Sequence, residues 1–258
     1  PPMRGAGLLG RPAKAAKQAA RIQVQAPAGE SVAQAWDRYF ATEDERLSSM
    51  TDAEMVKQAS KALLASVRQT VRQLMDEKKY AETAALIEAA LRHGQMEPWM
   101  YEGLALALRA DAADKMNQGV KIDAAQTEAL ERALLSAVDF AQDEEHMVLI
   151  AAYMAQSGLE QRALSVYRQI SKANPTRPEP LLQGLALAQR LGDVEAIQWA
   201  CVGILSQAWS GEHRELAERA FRIGRATYEQ LLSEGRKSEA EAFDAAVRQA
   251  QQRDCVVI

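Results

Sequence analysis

One stretch of the sequence, residues 147–175, constrains the fold most, because it contains two short amphipathic segments separated by a glycine. In each segment, apolar residues recur at three- and four-residue steps, which predicts two helices with one apolar stripe each. The stripes consist of Met147, Ile150, Ala151 and Met154, and of Ala163, Val166, Tyr167 and Ile170. Gly158 suits the left-handed end of the first helix, and Pro175 ends the second. Neither helix is long enough to be stable alone, so the pair must pack against further hairpins.

The composition and the spacing of the helices extend this pattern to the rest of the chain. Hydrophobic residues make up 48% of the sequence but aromatic residues only 5%, so the apolar content is mostly Ala and Leu, which are strong helix formers. Second helices of successive hairpins are predicted to begin near residues 80, 124, 159, 193 and 236, and two of these steps are close to 34 residues. Residues 97–107 and 179–188 are near copies that share a Gly-Leu-Ala-Leu-Ala core. The sequence therefore predicts an all-α, right-handed α-solenoid of about five antiparallel helix hairpins.

Four regions are predicted along the chain. Residues 1–30 are rich in Pro, Gly, Ala and basic residues and are interpreted as a flexible basic linker, with a basic arm that grips an acidic partner as the alternative. Residues 31–65 are predicted to be N-terminal capping helices, and residues 66–252 the helical repeat domain. Residues 253–258 end in Val-Val-Ile and are interpreted as a truncated strand that begins a following segment. We therefore expect the chain to be a module of a larger multidomain protein.

Two segments are irregular in this scheme. Residues 110–124 interrupt the helical rhythm and are predicted to be an insertion between the two helices of one repeat, with an extension of the preceding helix as the alternative. Insertions in repeat proteins often carry function, which makes Met116 a candidate contact residue. The long helix predicted from Thr51 to Lys78 is expected to break near Ser60 or Ser66.

The best-formed hairpin resembles a tetratricopeptide repeat (TPR). The family has small residues at fixed points of both helices, an aromatic residue in the second helix and a Pro after it. This chain supplies Ala151, Gly158, Ala163, Tyr167 and Pro175 at those points. The resemblance covers residues 66–252 and implies a scaffold whose concave face, lined by the first helix of each pair, binds peptides or protein domains. Family members that hold a C-terminal carboxylate use Lys, Arg and Asn on the first helices, which are nearly absent here, so an apolar segment or an adjacent domain is the expected partner.

The sequence contains no recognisable catalytic, cofactor or metal site. The three histidines lie on different predicted repeats without metal-ligand spacing, and there is no Gly-rich phosphate loop or nucleophile elbow. A net charge of −4 and the lack of aromatic residues interleaved with basic ones argue against nucleic acid as the partner. No apolar run is long enough to span a membrane. We therefore expect no catalytic residues, no cofactor and no metal.

These observations favour a non-catalytic scaffold for protein–protein interaction. The predicted partner contacts are five aromatic side chains on the helices and one Met in the predicted insertion: Trp99, Tyr101, Met116, Tyr153, Trp199 and Trp209. Two alternatives remain. An all-helical (α/α) hydrolase would require paired carboxylates in a deep cleft, and a passive structural spacer would bind nothing.

Overall fold

The computed structural model describes residues 22–209, 211–213 and 215–254. Within that part of the chain, the protein consists of eleven α-helices and one 3-10 turn, and it contains no β-strand, which confirms the all-α class. The helices are α1 (Val32–Ser48), α2 (Ala53–Asp76), α3 (Tyr80–Arg92), α4 (Pro98–Asn117), α5 (Ala124–Asp139), α6 (Glu144–Gln156), α7 (Glu160–Ala173), α8 (Pro178–Leu191), α9 (Val194–Leu205), α10 (Leu216–Ser233) and α11 (Lys237–Asp254), with the 3-10 turn at Gly211–His213. None of these helices combines the length and the apolar character needed to cross a lipid bilayer.

The chain divides into two compact units, Pro1–Phe140 and Ala141–Ile258. In the first unit, α1 and α2 both pack against α3, α3 packs against α4, and α4 against α5. Large side chains from all five helices are fully or almost fully buried in its core: Trp36, Phe40, Leu63, Leu86, Ile87, Met100 and Leu134. The burial of Trp36 and Phe40 shows that α1 packs into this core through two of its aromatic residues.

The second unit consists of the hairpins α6–α7, α8–α9 and α10–α11. Successive hairpins also contact each other, because α8 packs against both α6 and α7, and α9 packs against both α10 and α11. Within this unit, each helix therefore packs against the next helix in the chain from α6 to α11, and α9 contacts both helices of the last pair. A right-handed superhelix of five hairpins remains a prediction.

Local interactions define both ends of α6, the first helix of the hairpin at residues 147–175. The Asp143 side chain accepts a hydrogen bond from the backbone N–H of His146 at 2.9 Å and caps α6. Gly158 adopts a left-handed φ of +80°, and the N–H of Leu159 then reaches back to the Met154 carbonyl at 2.9 Å. This reversal is a common way to satisfy the last carbonyls of a helix. It turns the chain directly into α7.

The prediction of an inserted loop at residues 110–124 is wrong for most of the segment. Helix α4 continues to Asn117, and only residues 118–123 form a connection. The added turns are rich in Ala, and Asp111 forms a salt bridge of 2.6 Å with Lys115 one turn later. Gly119, with a φ of +76°, ends the helix. The alternative, an extension of the preceding helix, is therefore the correct one.

Helix α2 also differs from the prediction, because it runs without a break through Ser60 and Ser66. Ser66 is accommodated inside the helix, where its hydroxyl donates to the Ala62 carbonyl at 3.0 Å. The predicted boundary between residues 65 and 66 consequently falls inside a single helix. Helix α2 therefore belongs to both the predicted capping region and the predicted repeat region.

The two ends of the chain are described only in part. Residues 22–30 contain no helix or strand, and the backbone N–H of Ile22 donates to the Ser66 hydroxyl at 3.1 Å. The rest of the predicted linker, residues 1–21, lies outside the described residues. Residues 253 and 254 belong to α11, so they are helical and do not start a strand, and the Val-Val-Ile end also lies outside the described residues.

Candidate functional site

An open groove of about 560 Å³ lies on the second unit between α7, α9 and α11, and we call it the α9 groove. Helix α9 forms its middle, α7 one wall and α11 the other. The residues that face it include Arg168 and Lys172 from α7, Trp199 and Val202 from α9, and Ala246 and Ala250 from α11. The volume is within the range of about 300–1,000 Å³ that is usual for binding sites. All three helices are the second members of their hairpins.

Helix α9 presents a second stripe to this groove. Its buried side carries six residues: Ala196, Ile197, Ala200, Cys201, Ile204 and Leu205. The groove side carries Glu195, Gln198, Trp199, Val202 and, just past the end of the helix, Ser206. These positions recur at three- and four-residue steps over about three turns, or roughly 16 Å. The groove therefore has the length and the periodicity of one helix face.

The Trp199 indole is held at the floor of the groove by close packing against α8. A Cβ atom added to Gly184 would lie 2.5 and 2.8 Å from two carbons of the Trp199 ring. In the opposite direction, a Cβ on Gly203 would lie 2.6 Å from a methyl carbon of Leu181. Each helix of the pair thus offers a glycine to a large side chain of the other. The glycines allow α8 and α9 to approach closely and fix the position of the half-buried indole.

The α7 wall supplies positive charge. The guanidinium carbon of Arg168 lies 5.6 Å from the centroid of the Trp199 ring, in a cation–π arrangement. The same guanidinium contacts the Glu195 carboxylate at 3.1 Å, and the Glu195 side chain is 83% exposed. Lys172 is exposed one helical turn after Arg168. The groove therefore combines an apolar floor with a basic edge.

The structure brings only one of the six predicted contact residues, Trp199, into the α9 groove. Trp209 lies just beyond α9, and its indole N–H donates to the Ile204 carbonyl at 2.7 Å. Its ring also meets His213 edge-on, with the ring centroids 6.5 Å apart. Trp209 therefore closes the end of α9. Tyr153 is half-buried on α6 and does not line the groove.

The other three predicted residues belong to α4 of the first unit and point to different surroundings. Trp99 lies near the start of α4, where the Arg68 guanidinium of α2 stacks over its ring at 5.4 Å. Tyr101 stacks on Phe140 with the ring centroids 4.2 Å apart. Met116 is 66% exposed near the other end of the helix, about 25 Å from Trp99. These side chains do not form a common site.

Sequence reasoning missed most of the groove. Arg168 and Lys172 lie on the polar side of α7, which is typical of a solvated helix face, and Ala246 and Ala250 resemble ordinary helix-forming residues. One signal was available. Ala246 and Ala250 on α11 and Val202 and Ser206 on α9 are pairs four residues apart, a spacing that places small side chains along one line of a helix.

A separate group of titratable side chains lies between α1 and α3. His93 ends α3, and its ring nitrogens face two carboxylates of α1, Asp44 at 2.6 Å and Asp37 at 3.3 Å. A hydrogen bond from Arg92 and the nearby His93 hold the pKa of Asp37 below its usual range. Both ring nitrogens are already engaged. The cluster therefore fastens α1 to α3.

The remaining chemistry of the described residues does not point to a reactive centre. No group of three or more His, Cys, Asp or Glu side chains within the described ranges is arranged to hold a metal ion. Cys201 is buried, and burial raises the pKa of its thiol to about 12, so the group stays protonated at neutral pH. This leaves the α9 groove as the best candidate for a functional site.

The described helices define an all-α protein whose second unit contains three successive hairpins. The chain matches no protein-family model, and no curated protein or solved structure shows significant similarity to it. The resemblance to tetratricopeptide repeats remains a prediction. The function must therefore be argued from the groove itself.

Proposed function

We propose that the protein is a non-catalytic binding module that holds a segment of another protein, or of a neighbouring domain, in the α9 groove. The observation that carries this proposal is the fixed, half-buried indole of Trp199 at the floor of an open groove. Tryptophan and arginine are, with tyrosine, enriched at the energetic centres of protein interfaces. Here Trp199 and Arg168 lie side by side.

The shape and lining of the groove favour a protein segment over a substrate. Among the described residues that line it, Glu195 is the single carboxylate, and it lies at the rim against Arg168. An α/α hydrolase would instead require two carboxylates that converge in a deep cleft. The groove is open along its length, so it offers a contact surface in place of an enclosed pocket.

The proposed surface differs from the one expected from the sequence. The TPR resemblance implies a partner on the first helices of the hairpins, whereas the α9 groove is formed by the second helices α7, α9 and α11. The predicted contact at Trp199 is retained in the proposal. The proposal includes no contact between the bound protein segment and Trp209 or Tyr153.

Two variants, each with one alanine of α11 replaced by arginine, test the proposal. Peptides that bind the full chain are first selected from a displayed library of random 16-residue linear peptides. Ala246→Arg places a long side chain in the groove, and we expect it to weaken the selected peptides at least tenfold. The control is Ala245→Arg, because Ala245 directly precedes Ala246 on α11, is exposed and does not line the groove. The Ala245→Arg variant should bind the selected peptides with an affinity within twofold of that of the parent chain.

The proposal has two clear ways to fail. If the library yields no peptide that binds the chain, the passive spacer becomes the better interpretation. If peptides bind but Ala246→Arg and Ala245→Arg have the same effect, the binding surface lies outside the α9 groove. Circular dichroism of both variants shows whether the fold is retained.

A further inference from the structure

The polar groups of the groove limit the backbone conformation of its occupant. An extended segment that fills the roughly 16 Å of the groove would contain about five residues, and therefore about ten backbone donors and acceptors. The lining offers three neutral polar side chains to meet them, Gln198, Ser206 and Gln249. The described residues contain no strand whose edge an extended segment could join. An α-helix satisfies its own backbone groups and does not have this difficulty.

The apolar lining fits a helix in its spacing as well. Trp199 and Val202 lie three residues apart on α9, and Ala246 and Ala250 lie four residues apart on α11. The alanines keep that wall low, which leaves room for larger side chains from a partner. A helix with apolar residues at positions i, i+3 or i+4, and i+7 would place three side chains in the groove. This is the usual way in which an amphipathic helix binds a groove.

The charges orient such a helix. Arg168 and Lys172 are four residues apart, so they form a basic row along the α7 edge. Glu195 already contacts Arg168, but its highly exposed carboxylate can be replaced by a carboxylate from the partner. Two acidic residues four positions apart on the partner helix would face this row.

We propose that the partner of the α9 groove is an amphipathic helix with an acidic flank that faces Arg168 and Lys172. The inference rests on the proposed function and names the chemistry of the partner. It predicts three features of the sequences that bind: apolar residues at helical spacing, acidic residues beside them, and helix formation upon binding.

The random peptide library described above provides the test, because its linear peptides do not favour helices in advance. Peptides enriched on the full chain are sequenced, and one of them is synthesised for affinity measurements and circular dichroism. We expect Asp or Glu at two positions four residues apart, and a gain of helix upon binding. The double variant Arg168→Glu/Lys172→Glu should weaken this peptide at least tenfold. A peptide with both acidic residues changed to Lys should recover most of the affinity for that double variant.

The outcomes separate this inference from the function on which it rests. Groove-dependent peptides that are basic, rich in proline or extended when bound would overturn the helical acidic partner while leaving the binding module in place. A charge reversal that the reversed peptide does not rescue would overturn it as well. Peptides that ignore Ala246→Arg would instead refute the proposed function itself.

Discussion

Replacement of Gly184 by alanine tests the packing that holds the groove together. A Cβ atom at this position would lie 2.5 and 2.8 Å from two carbons of the Trp199 ring, distances that Cβ atoms essentially never adopt. The indole is rigid, so it cannot bend away as a flexible side chain would. Either the ring must swing toward the α9 groove or α8 and α9 must move apart.

Gly224 provides a matched control, because it is also buried inside a helix of the second unit. A Cβ there would lie 3.6 Å from a Val247 methyl carbon, which is an ordinary contact distance. Alanine is favoured over glycine in a helix interior by about 1 kcal/mol. Gly224→Ala should therefore stabilise the protein by about 0.5–1 kcal/mol.

The same helix preference acts at Gly184, but overpacking opposes it there. Forcing an extra carbon into a well-packed site typically costs about 1–3 kcal/mol. The net effect of Gly184→Ala should therefore range from near zero to a loss of about 2 kcal/mol. The two variants should differ in unfolding free energy by about 1–3 kcal/mol, although the chemical change is identical.

Urea unfolding of the full chain, followed by far-UV circular dichroism, measures this difference. Gly184→Ala should unfold at a lower urea concentration than Gly224→Ala. It should also weaken peptides selected for the α9 groove, because the displaced indole would alter the floor. If Gly184→Ala were as stable as Gly224→Ala and still bound these peptides, the close seating of Trp199 on Gly184 would be refuted.

Three further predictions concern single side chains. Trp209→Phe should lower the free energy of unfolding by about 1 kcal/mol, the usual net value of a hydrogen bond, because the Trp209 indole N–H bonds to the end of α9. Urea unfolding measures this loss, and peptide binding should be unchanged. The pKa of Asp37 is lowered in the folded state by Arg92, so its stabilising effect should be present above the unfolded value of about 4 and disappear as the pH falls through the folded value. Urea unfolding of Asp37→Asn and the parent chain should therefore differ at pH 7, by less than about 1 kcal/mol because the pair is exposed. The difference should disappear as the pH falls below the lowered pKa of Asp37. In a Cys255→Ser background, Cys201 should react with a thiol reagent at pH 8 only after denaturant is added, because the thiol is buried and protonated.

Much of the helical architecture is predictable because it follows from local signals. The apolar stripes at three- and four-residue steps identify the helices of the hairpin at residues 147–175, and Gly158 and Pro175 limit them. Each of these signals acts within a few residues of its own position, as helix caps and glycine turns do. The sequence alone is sufficient where the cause is local.

Two sequence-based predictions are wrong, and in both places the chain forms a continuous helix. Residues 110–124 disturb the spacing of the repeats and therefore predict an inserted loop, yet the alanines of residues 110–117 and the Asp111–Lys115 pair favour a helix. The break predicted in α2 near Ser60 or Ser66 is also absent, because the Ser66 hydroxyl bonds to a carbonyl within the helix. In both places the intrinsic preference of the chain determined the structure.

The groove is harder to predict, because it depends on which neighbouring side chain packs against a helical glycine. The repeated Gly-Leu-Ala-Leu-Ala core places Gly103 and Gly184 at equivalent points of α4 and α8. A Cβ on Gly103 would first meet Ile87, at 3.3 Å, on the helix that precedes α4. The equivalent Cβ on Gly184 would meet Trp199, on the helix that follows α8.

The same motif therefore has two different results. Next to Gly103, the neighbouring side chain is an Ile that is fully buried in the core. Next to Gly184, it is a large aromatic ring that is only half-buried and faces the α9 groove beside Arg168. The motif predicts that two helices approach closely, but it does not identify the second helix. That choice depends on the packing of the neighbouring helices, and it determines whether the side chain beside the glycine lies in the core, as Ile87 does, or half-exposed in the α9 groove, as Trp199 does.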